Sequence, residues 1–149
     1  VLEPIKNELF FEEKGSGAFL NNSKIRVSKK KKIKDSSMVT GGPKFNSQKK
    51  KIILEEYIKM SNLVEAPIRK FGSASLDLVY VAAGRFDGYW QWELNYWDIA
   101  AGLVILKEAG GYVDFMEQTS KISVKKNIIA TNSEIHSELQ IALNKKNIE

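Results

Sequence analysis

The sequence predicts a layered α/β fold, an α+β sandwich in which helices pack on mixed sheets. Two observations predict it. Residues 1–27 consist of short apolar runs separated by turn residues, which is typical of hairpins. Beyond residue 36, strand-like runs alternate with segments of helical periodicity. Of the 149 residues, 43% are hydrophobic, which is enough to bury a core, so we expect one domain over residues 1–149.

The first 27 residues predict a meander of antiparallel hairpins. Glu8–Glu12 and Ala18–Leu20 are strand-like, and Gly15–Gly17 lies between them as a flexible turn. Asn21-Asn22 predicts a second turn before a strand over Ile25–Val27. We expect this meander to present one face to a core.

The next segment predicts a strand, a helix and another strand. Residues 37–40 resemble a buried strand that is ended by glycines and a proline at 41–43. Ser47 is a candidate cap for a helix that ends near Met60. Four residues recur on one face of it at near-helical spacing: Ile52, Ile53, Tyr57 and Met60. Residues 64–70 predict a strand in which Pro67 indicates an edge or a bulge.

Helices and strands alternate through the rest of the chain. Ser73 precedes a helical pattern and Gly84 follows it, which is the expected polarity of helix caps. Asp98 begins a second helical pattern, closed by glycines at 110 and 111, and Asn132 or Ser133 is a cap for the last helix. The predicted elements are helices over residues 73–83, 98–109 and 133–144 and strands over 86–92, 112–113 and 128–130.

Composition limits the classes of partner. The formal charge of +5 comes from two lysine runs, Lys29–Lys32 with Lys34 and Lys49–Lys51. Aromatic residues do not interleave with these lysines as they do in a nucleic-acid groove, so we interpret them as solvated surface and expect no nucleic-acid partner. No apolar run reaches the roughly 20 residues of a membrane span. The chain has no cysteine, which favours a reducing, cytoplasmic location.

Two segments combine small residues with helix starts. At Gly72, Ser73 and Ala74, main-chain N–H groups at the predicted helix start favour an anion or a hydroxyl-rich ligand, although an ordinary helix cap explains the same residues. Asp98 precedes three small residues at 100–102, which would let a ligand approach closely. Its carboxylate suits a hard cation, or else serves only as a cap.

Two further candidates are weaker. Strand alternation would place Asp87, Tyr89, Gln91 and Glu93 on one face, where Gln91 or Glu93 would bond a polyol. The alternative is a strand whose opposite, tryptophan-bearing face is simply core. His136 is the chain's one histidine and lies in the polar first turn of the last predicted helix, where we do not expect it to be catalytic.

These same segments resemble a known family. The residues that carry the resemblance are FGSASLDL at 71–78, VAAGRFDGY at 81–89, and WDIAAG at 97–102 followed by EAGG at 108–111. They resemble the second half of inositol monophosphatases, and the last block is specific to that family. Residues 7–10 and 15–21 resemble the family's hairpin region in the same order.

The resemblance implies a function and a site. Members are layered α/β enzymes, usually dimeric, that hydrolyse phosphate monoesters such as inositol monophosphate with Mg²⁺. By this resemblance Asp98 ligates a catalytic magnesium and contacts substrate, while Gly72, Ser73 and Ala74 meet substrate hydroxyls through their backbone. Gln91 stands where many members carry a glutamate that binds inositol, so inositol itself is in question; Glu93, two residues on, is a possible substitute.

The family's first metal-binding glutamate and its Asp-Pro-x-Asp-Gly-Thr motif do not occur in this sequence. Both would lie upstream of Val1, where the chain begins without an initiator methionine. We therefore expect the chain to be the carboxy-terminal part of such an enzyme, to retain Mg²⁺ poorly and to be inactive alone. Two alternatives remain: a non-catalytic member that binds RNA or protein through its lysine-rich loops, and a truncated remnant without function.

Overall fold

The computed structural model describes residues 1–44, 46–116 and 125–144. Within them two four-stranded sheets and four α-helices form alternating layers, which confirms the predicted layered α/β class. One sheet packs against a pair of helices, the second sheet lies on the other side of that pair, and two more helices cover the second sheet's far face.

The first sheet is the hairpin meander that the sequence predicts. Its strands are β1 (Leu2–Glu3), β2 (Glu8–Glu13), β3 (Gly17–Leu20) and β4 (Ser23–Ile25), and they pair antiparallel in chain order. Phe10 and Ala18 face inward and are fully buried, whereas Phe11 and Phe19 stack on the outer face with ring centroids 5.2 Å apart. β4 ends at Ile25, two residues before the predicted end.

The second sheet is mixed and holds the site. It contains β5 (Met38–Thr40), β6 (Gly88–Asn95), β7 (Tyr112–Phe115) and β8 (Lys125–Thr131) in the order β5-β6-β8-β7. β5 runs parallel to β6, and the other pairs are antiparallel. Neighbouring residues of β6 serve opposite cores, because strand side chains alternate between the two faces of a sheet. Tyr89 packs towards the first sheet and Trp90 away from it, and both are buried.

The helices are α1 (Lys50–Leu63), α2 (Ala74–Ala82), α3 (Tyr96–Glu108) and α4 (His136–Asn144). α2 and α3 form the layer between the sheets and cross at Gly102, where a β-carbon would come within 2.7 Å of the Leu78 Cβ. The glycine therefore sets how closely these two helices approach. Residues 77–82 are all buried, so α2 is covered on every side rather than along one stripe.

Several predicted boundaries are wrong. α1 begins at Lys50 rather than after a cap at Ser47, and Ile52, assigned to its apolar face, is 47% exposed. The strand predicted over residues 64–70 reduces to an isolated bridge between Val39 and Arg69, because the main chain there bonds to β5 only at Arg69. α4 begins at His136, after the Asn132 side chain accepts hydrogen bonds from the N–H groups of residues 134 and 135.

Among the described residues, no helix is both long enough and apolar enough to cross a membrane.

Candidate substrate pocket

An open cavity of about 430 Å³ lies where α2 and α3 begin beside β6. Its volume is within the range of small-molecule sites. The lining consists of residues 72–75, together with Lys44, Gln91, Leu94, Trp97 and Asp98. Gly72, Ser73, Ala74, Gln91 and Asp98 were each singled out from the sequence, and the fold brings all five to one cavity.

The start of α2 forms one wall. Ser73 is the N-cap, and its hydroxyl accepts a hydrogen bond from the Leu76 N–H at 3.4 Å. The Ser75 hydroxyl donates to the main-chain oxygen of Asp98 at 2.7 Å, which joins the first turns of the two helices. Gly72 has a φ of 88° and no atom within 4 Å of a β-carbon built there, so the backbone conformation, and not crowding, favours glycine. The N-terminal dipole of α2 therefore points at the cavity, where it favours electron-rich groups.

Asp98 lies in the first turn of α3 and does not begin the helix, which is preceded by Asn95. Its Oδ2 accepts hydrogen bonds from the Asn95 main-chain N–H and from Asn95 Nδ2, both at 3.1 Å. Within the described residues Oδ1 has no hydrogen-bond partner. The carboxylate thus caps its own helix with one oxygen, and the cap does not use the other, so the two interpretations from the sequence are compatible.

A carboxylate oxygen suits Mg²⁺, which prefers hard oxygen ligands. Residues 1–44, 46–116 and 125–144 contain no group of three or more His, Cys, Asp or Glu side chains that could hold a metal ion. Asp98 therefore fits magnesium as one ligand, and a complete site needs further oxygens besides this carboxylate.

Gln91 is held by residues behind the cavity wall. The Tyr89 hydroxyl donates to Gln91 Oε1 at 2.6 Å, as strand neighbours two apart on the same face can do. The Gln91 amide also lies against Gly41, where a β-carbon would come within 2.0 Å of Oε1. Gly41 is thus needed for the space that the amide fills.

Two titratable groups near Gln91 are buried: the carboxyl of Asp77 and the hydroxyl of Tyr89. Asp77 is fully buried, and neither of its carboxyl oxygens has a hydrogen-bond partner. Burial raises the pKa of Asp77 to about 7. Burial first, then the negative charges of Asp77 and Asp98, raise the pKa of Tyr89 well above its ordinary value. Tyr89 therefore keeps its proton and remains a donor to Gln91.

Glu93 does not line the cavity. The pairing of β6 with β8 shifts register between Gln91 and Leu94, and Glu93 sits in this bulge with a φ of 58°. Leu94 takes the lining position that regular alternation would assign to Glu93. The bulge instead turns the main-chain oxygen of Glu93 toward Lys44, whose Nζ donates to it at 2.9 Å.

His136 lies elsewhere. Its Nδ1 is 2.6 Å from Thr131 Oγ1, and its Nε2 is 3.1 Å from Asp114 Oδ2. This chain of polar groups resembles a catalytic triad in composition only, since Thr131 is fully buried and out of reach of a substrate. The sequence does not predict this arrangement, because Asp114 reaches the other two residues only through the pairing of β7 with β8.

The sequence does not predict that Lys44 and Leu94 line the cavity, or that Tyr89 and Gly41 contact Gln91. The sequence predicts only that the glycines at 41 and 42 end a strand. Two adjacent glycines also indicate a place where the backbone approaches another group closely, and that signal would have drawn attention to this loop.

Comparison with known proteins gives the family and the fold. A profile described as the inositol monophosphatase family matches residues 1–149. The chain is 40% identical to an inositol-1-monophosphatase of Caulobacter vibrioides over 138 residues, which is 91% of this chain and 54% of the relative. It is 41% identical to a protein of Haemophilus influenzae named Nus factor SuhB, over 93% of this chain and 52% of that one.

Solved structures show the same fold. Extragenic suppressor protein suhB from Bartonella henselae superposes with a TM-score of 0.88 at 44% identity, covering 98% of this chain and 56% of that chain. An inositol monophosphatase from Anabaena gives a TM-score of 0.83 at 36% identity, with 98% and 57% covered. This chain therefore spans about half the length of the relatives that it matches.

Proposed function

Because this chain belongs to the inositol monophosphatase family, we propose that it forms the substrate-binding part of a magnesium-dependent phosphatase of small phosphate monoesters, with inositol monophosphate as the first candidate substrate. The observation that carries the proposal is the convergence of Gly72, Ser73, Ala74, Gln91 and Asp98 on one cavity.

Each residue has a distinct task in this proposal. Asp98 Oδ1 is one ligand of magnesium, while Oδ2 keeps the start of α3 in place. The main chain at Gly72, Ser73 and Ala74 contacts substrate hydroxyls, and the Gln91 amide bonds the far end of the substrate. Magnesium, when bound, lowers the pKa of the attacking water and neutralises charge on the leaving oxygen. With Asp98 as one carboxylate ligand, the chain by itself is expected to bind the metal weakly and to be inactive.

Reconstitution tests this proposal. The chain would be purified alone and together with the part of the Caulobacter vibrioides relative that it does not match, and phosphate release from inositol 1-phosphate would be followed with and without Mg²⁺. We expect release only from the combined preparation with Mg²⁺. Asp98→Asn in that preparation should lower kcat by about a hundredfold or more, because it removes a charged metal ligand but keeps the hydrogen-bonding shape of the cap.

Exposed Asp35 supplies the matched control, since Asp35→Asn changes the same charge away from the cavity. Phosphate release by the chain alone that depends on Mg²⁺ would contradict the proposal that it holds only one ligand. Full activity of Asp98→Asn in the combined preparation would contradict the role of Asp98.

A second candidate is a binding role without catalysis. Two observations favour it: relatives named Nus factor SuhB are as similar as the phosphatases, and Lys29–Lys32 are exposed. A gel-shift of RNA whose affinity falls steeply with salt would support it, whereas absence of a shift at low salt would leave these lysines as ordinary surface. The homodimer and the cytoplasmic location expected from the sequence stay predictions.

A further inference from the structure

A run of consecutive lysines lies across one end of α1 and α4, the two helices that cover the far face of the second sheet. It belongs to the lysine loop, which we define as residues 28–34. The Lys34 main-chain oxygen accepts a hydrogen bond from the Glu65 N–H at 2.9 Å, just beyond the end of α1. The Ile33 N–H donates to the Glu138 carboxylate of α4 at 3.2 Å. These two bonds fix the loop to both helices.

Lys29–Lys32 are exposed, and their ammonium groups are available to a partner. In the part of the chain that the structure describes, no carboxylate pairs with them. Lys34 differs, since its Nζ is 3.9 Å from the Asp35 carboxylate and 3.7 Å from that of Glu65. The Asn132 amide donates to the main chain of the loop at 3.1 Å. The loop therefore concentrates positive charge in one fixed segment.

α1 carries aliphatic side chains on the side that faces solvent. Ile58 precedes the buried Met60 by two residues and so lies about 200° from it around the helix axis, and it is 61% exposed. Leu54, one turn earlier on the same side, is also exposed. The charges nearby cancel, because Lys51 and Glu55 pair at 3.9 Å. The outward side of α1 is therefore apolar at its centre, and the positive charge comes from the lysine loop.

These two features together complement an anionic membrane surface better than a nucleic acid. Anionic head groups attract ammonium groups, and each lysine near them raises partition about fivefold. Aliphatic side chains beside the lysines gain further by entering the boundary between head groups and acyl chains. A single-stranded nucleic acid instead uses aromatic side chains on which its bases stack, and the lysine loop has none. Exposed leucine and isoleucine gain nothing from a phosphate backbone.

We propose that Lys29–Lys32 and the Leu54 and Ile58 side of α1 attach the chain to the surface of an anionic lipid bilayer. The attachment is peripheral, because the apolar contact is shallow and no described helix can span a bilayer. Each contact is weak by itself, and a basic cluster combined with an apolar contact gives measurable, reversible binding. None of these residues lines the cavity, so the inference does not depend on the proposed phosphatase activity.

Sedimentation with vesicles tests the inference on the full chain. Vesicles of phosphatidylcholine alone would be compared with vesicles of phosphatidylcholine and phosphatidylglycerol in equal parts, at low salt and at about 1 M salt. We expect the chain to bind the phosphatidylglycerol vesicles at low salt on the order of a hundredfold more tightly than the neutral ones. Salt should release it, because dissolved ions screen the attraction between ammonium and head group.

A double variant with a matched control tests the lysine contact. Lys30→Gln with Lys31→Gln should weaken binding to the anionic vesicles roughly twentyfold, since two attracted charges are lost. Lys14→Gln with Lys24→Gln removes the same charge from exposed positions on the first sheet. This control should change the binding by less than about twofold, because these lysines lie outside the contact.

A second pair of variants tests the apolar contact. Ile58→Gln keeps a good helix former in α1 and removes the aliphatic side chain, so binding to the anionic vesicles should weaken about tenfold. Ile5→Gln makes the same change at the hairpin tip between β1 and β2, where the isoleucine is 93% exposed, and should keep the affinity of the unmodified chain.

Four outcomes overturn the inference. The unmodified chain binds neither kind of vesicle, or binds both equally; the two lysine pairs lose the same affinity; or Ile58→Gln binds as well as the unmodified chain. A gel-shift with single-stranded RNA separates the other class of polyanion, since RNA bound by the lysines alone should not respond to Ile58→Gln. A chain that shifts RNA but does not sediment with anionic vesicles contradicts membrane attachment and favours the RNA-binding candidate.

Discussion

Asp77 combines complete burial with two carboxyl oxygens that lack hydrogen-bond partners. Its pKa is raised to about 7 by burial, while the unfolded chain has the ordinary value near 4. From about pH 4 to about pH 7 the folded chain holds a proton that the unfolded chain has lost. The free energy of unfolding therefore falls as pH rises through this window and levels off above it.

Asp77→Asn should remove this dependence. Between pH 4 and pH 8 the free energy of unfolding of the variant should rise by on the order of 2–4 kcal/mol relative to that of the unmodified chain, because the amide cannot ionise. Urea unfolding at several pH values measures this difference. The test is the slope of the free energy of unfolding against pH and not its absolute value, since a buried amide without partners also costs free energy. Exposed Asp35→Asn is the control and should leave the slope unchanged; an unchanged slope in Asp77→Asn would exclude a raised pKa.

At the residue scale, the sequence predicted which side chains belong to the site better than it predicted how they are held. Asp98 and Ser73 were recognisable because a helix cap has a short-range signature. The Tyr89 and Gly41 contacts with Gln91 were not, since they depend on the face of a strand and on a loop 50 residues away. Spacing along the chain contains no information on such contacts.

At the scale of elements, the crossing of α2 and α3 depends on the absence of a side chain at Gly102. Gly102→Ala should gain about 1 kcal/mol of helix propensity and lose about 1–3 kcal/mol to overpacking. Overpacking wins, because the closest atom is Leu78 Cβ at 2.7 Å, which no rotamer change can move away. We expect a net loss near 1 kcal/mol in chemical denaturation.

The overpacked side chain should also push α2 and α3 apart. Because the Ser75 hydroxyl on α2 donates to the Asp98 main-chain oxygen on α3 at 2.7 Å, this separation should widen the cavity. Ala101→Ser, a small change at the adjacent exposed position, is the matched control. A Gly102→Ala chain as stable as the control would mean that the helices are free to separate without cost.

The type of an element was predictable where hydrophobic periodicity was accompanied by cap or turn residues at its ends, as in α2 and the hairpins. Predictions failed where tertiary contacts decide. The run at 64–70 has strand composition, yet only Arg69 finds a partner on β5. At Glu93, the bulge changes which β6 side chain reaches the cavity, and a bulge has no marker in the sequence here.

At the scale of the whole molecule, one ion pair joins the first sheet to the helix layer. The Arg85 guanidinium donates two hydrogen bonds to the Glu8 carboxylate, at 2.8 and 2.6 Å, across 77 residues of chain. Hydrogen bonding to Arg85 lowers the pKa of Glu8. Its stabilisation is therefore present above the unfolded pKa of about 4.3 and is lost as pH falls through the lower folded pKa.

Glu8→Gln should cost about 1 kcal/mol of unfolding free energy at pH 7, a modest value because the Arg85 side chain is partly exposed. This cost should shrink toward zero in strong acid, where the Glu8 carboxylate is protonated. Denaturant titrations at pH 7 and in strong acid would measure both values. Glu13→Gln, on the same strand but exposed, should change neither value. A cost that persists in acid would point to lost packing instead of lost charge.

The layer order was predictable in kind, because hairpins followed by alternating helices and strands leave few arrangements. Which helices lie between the sheets was not. That depends on α2 having no side that faces solvent. The continuous apolar run around Asp77 indicates this property, but it also fits a helix with only one apolar face.

The loop at residues 28–33 has a consequence for proteolysis. Asn132 Nδ2 donates to Ser28 Oγ and to the Lys30 main-chain oxygen, and the Ile33 N–H donates to Glu138. Cleavage by trypsin needs several residues in an extended, accessible conformation, and these bonds hold the main chain against the body. The four adjacent lysines should therefore resist trypsin despite their exposure, and Asn132→Ala should make them the first site of digestion, as mass spectrometry of early fragments would reveal.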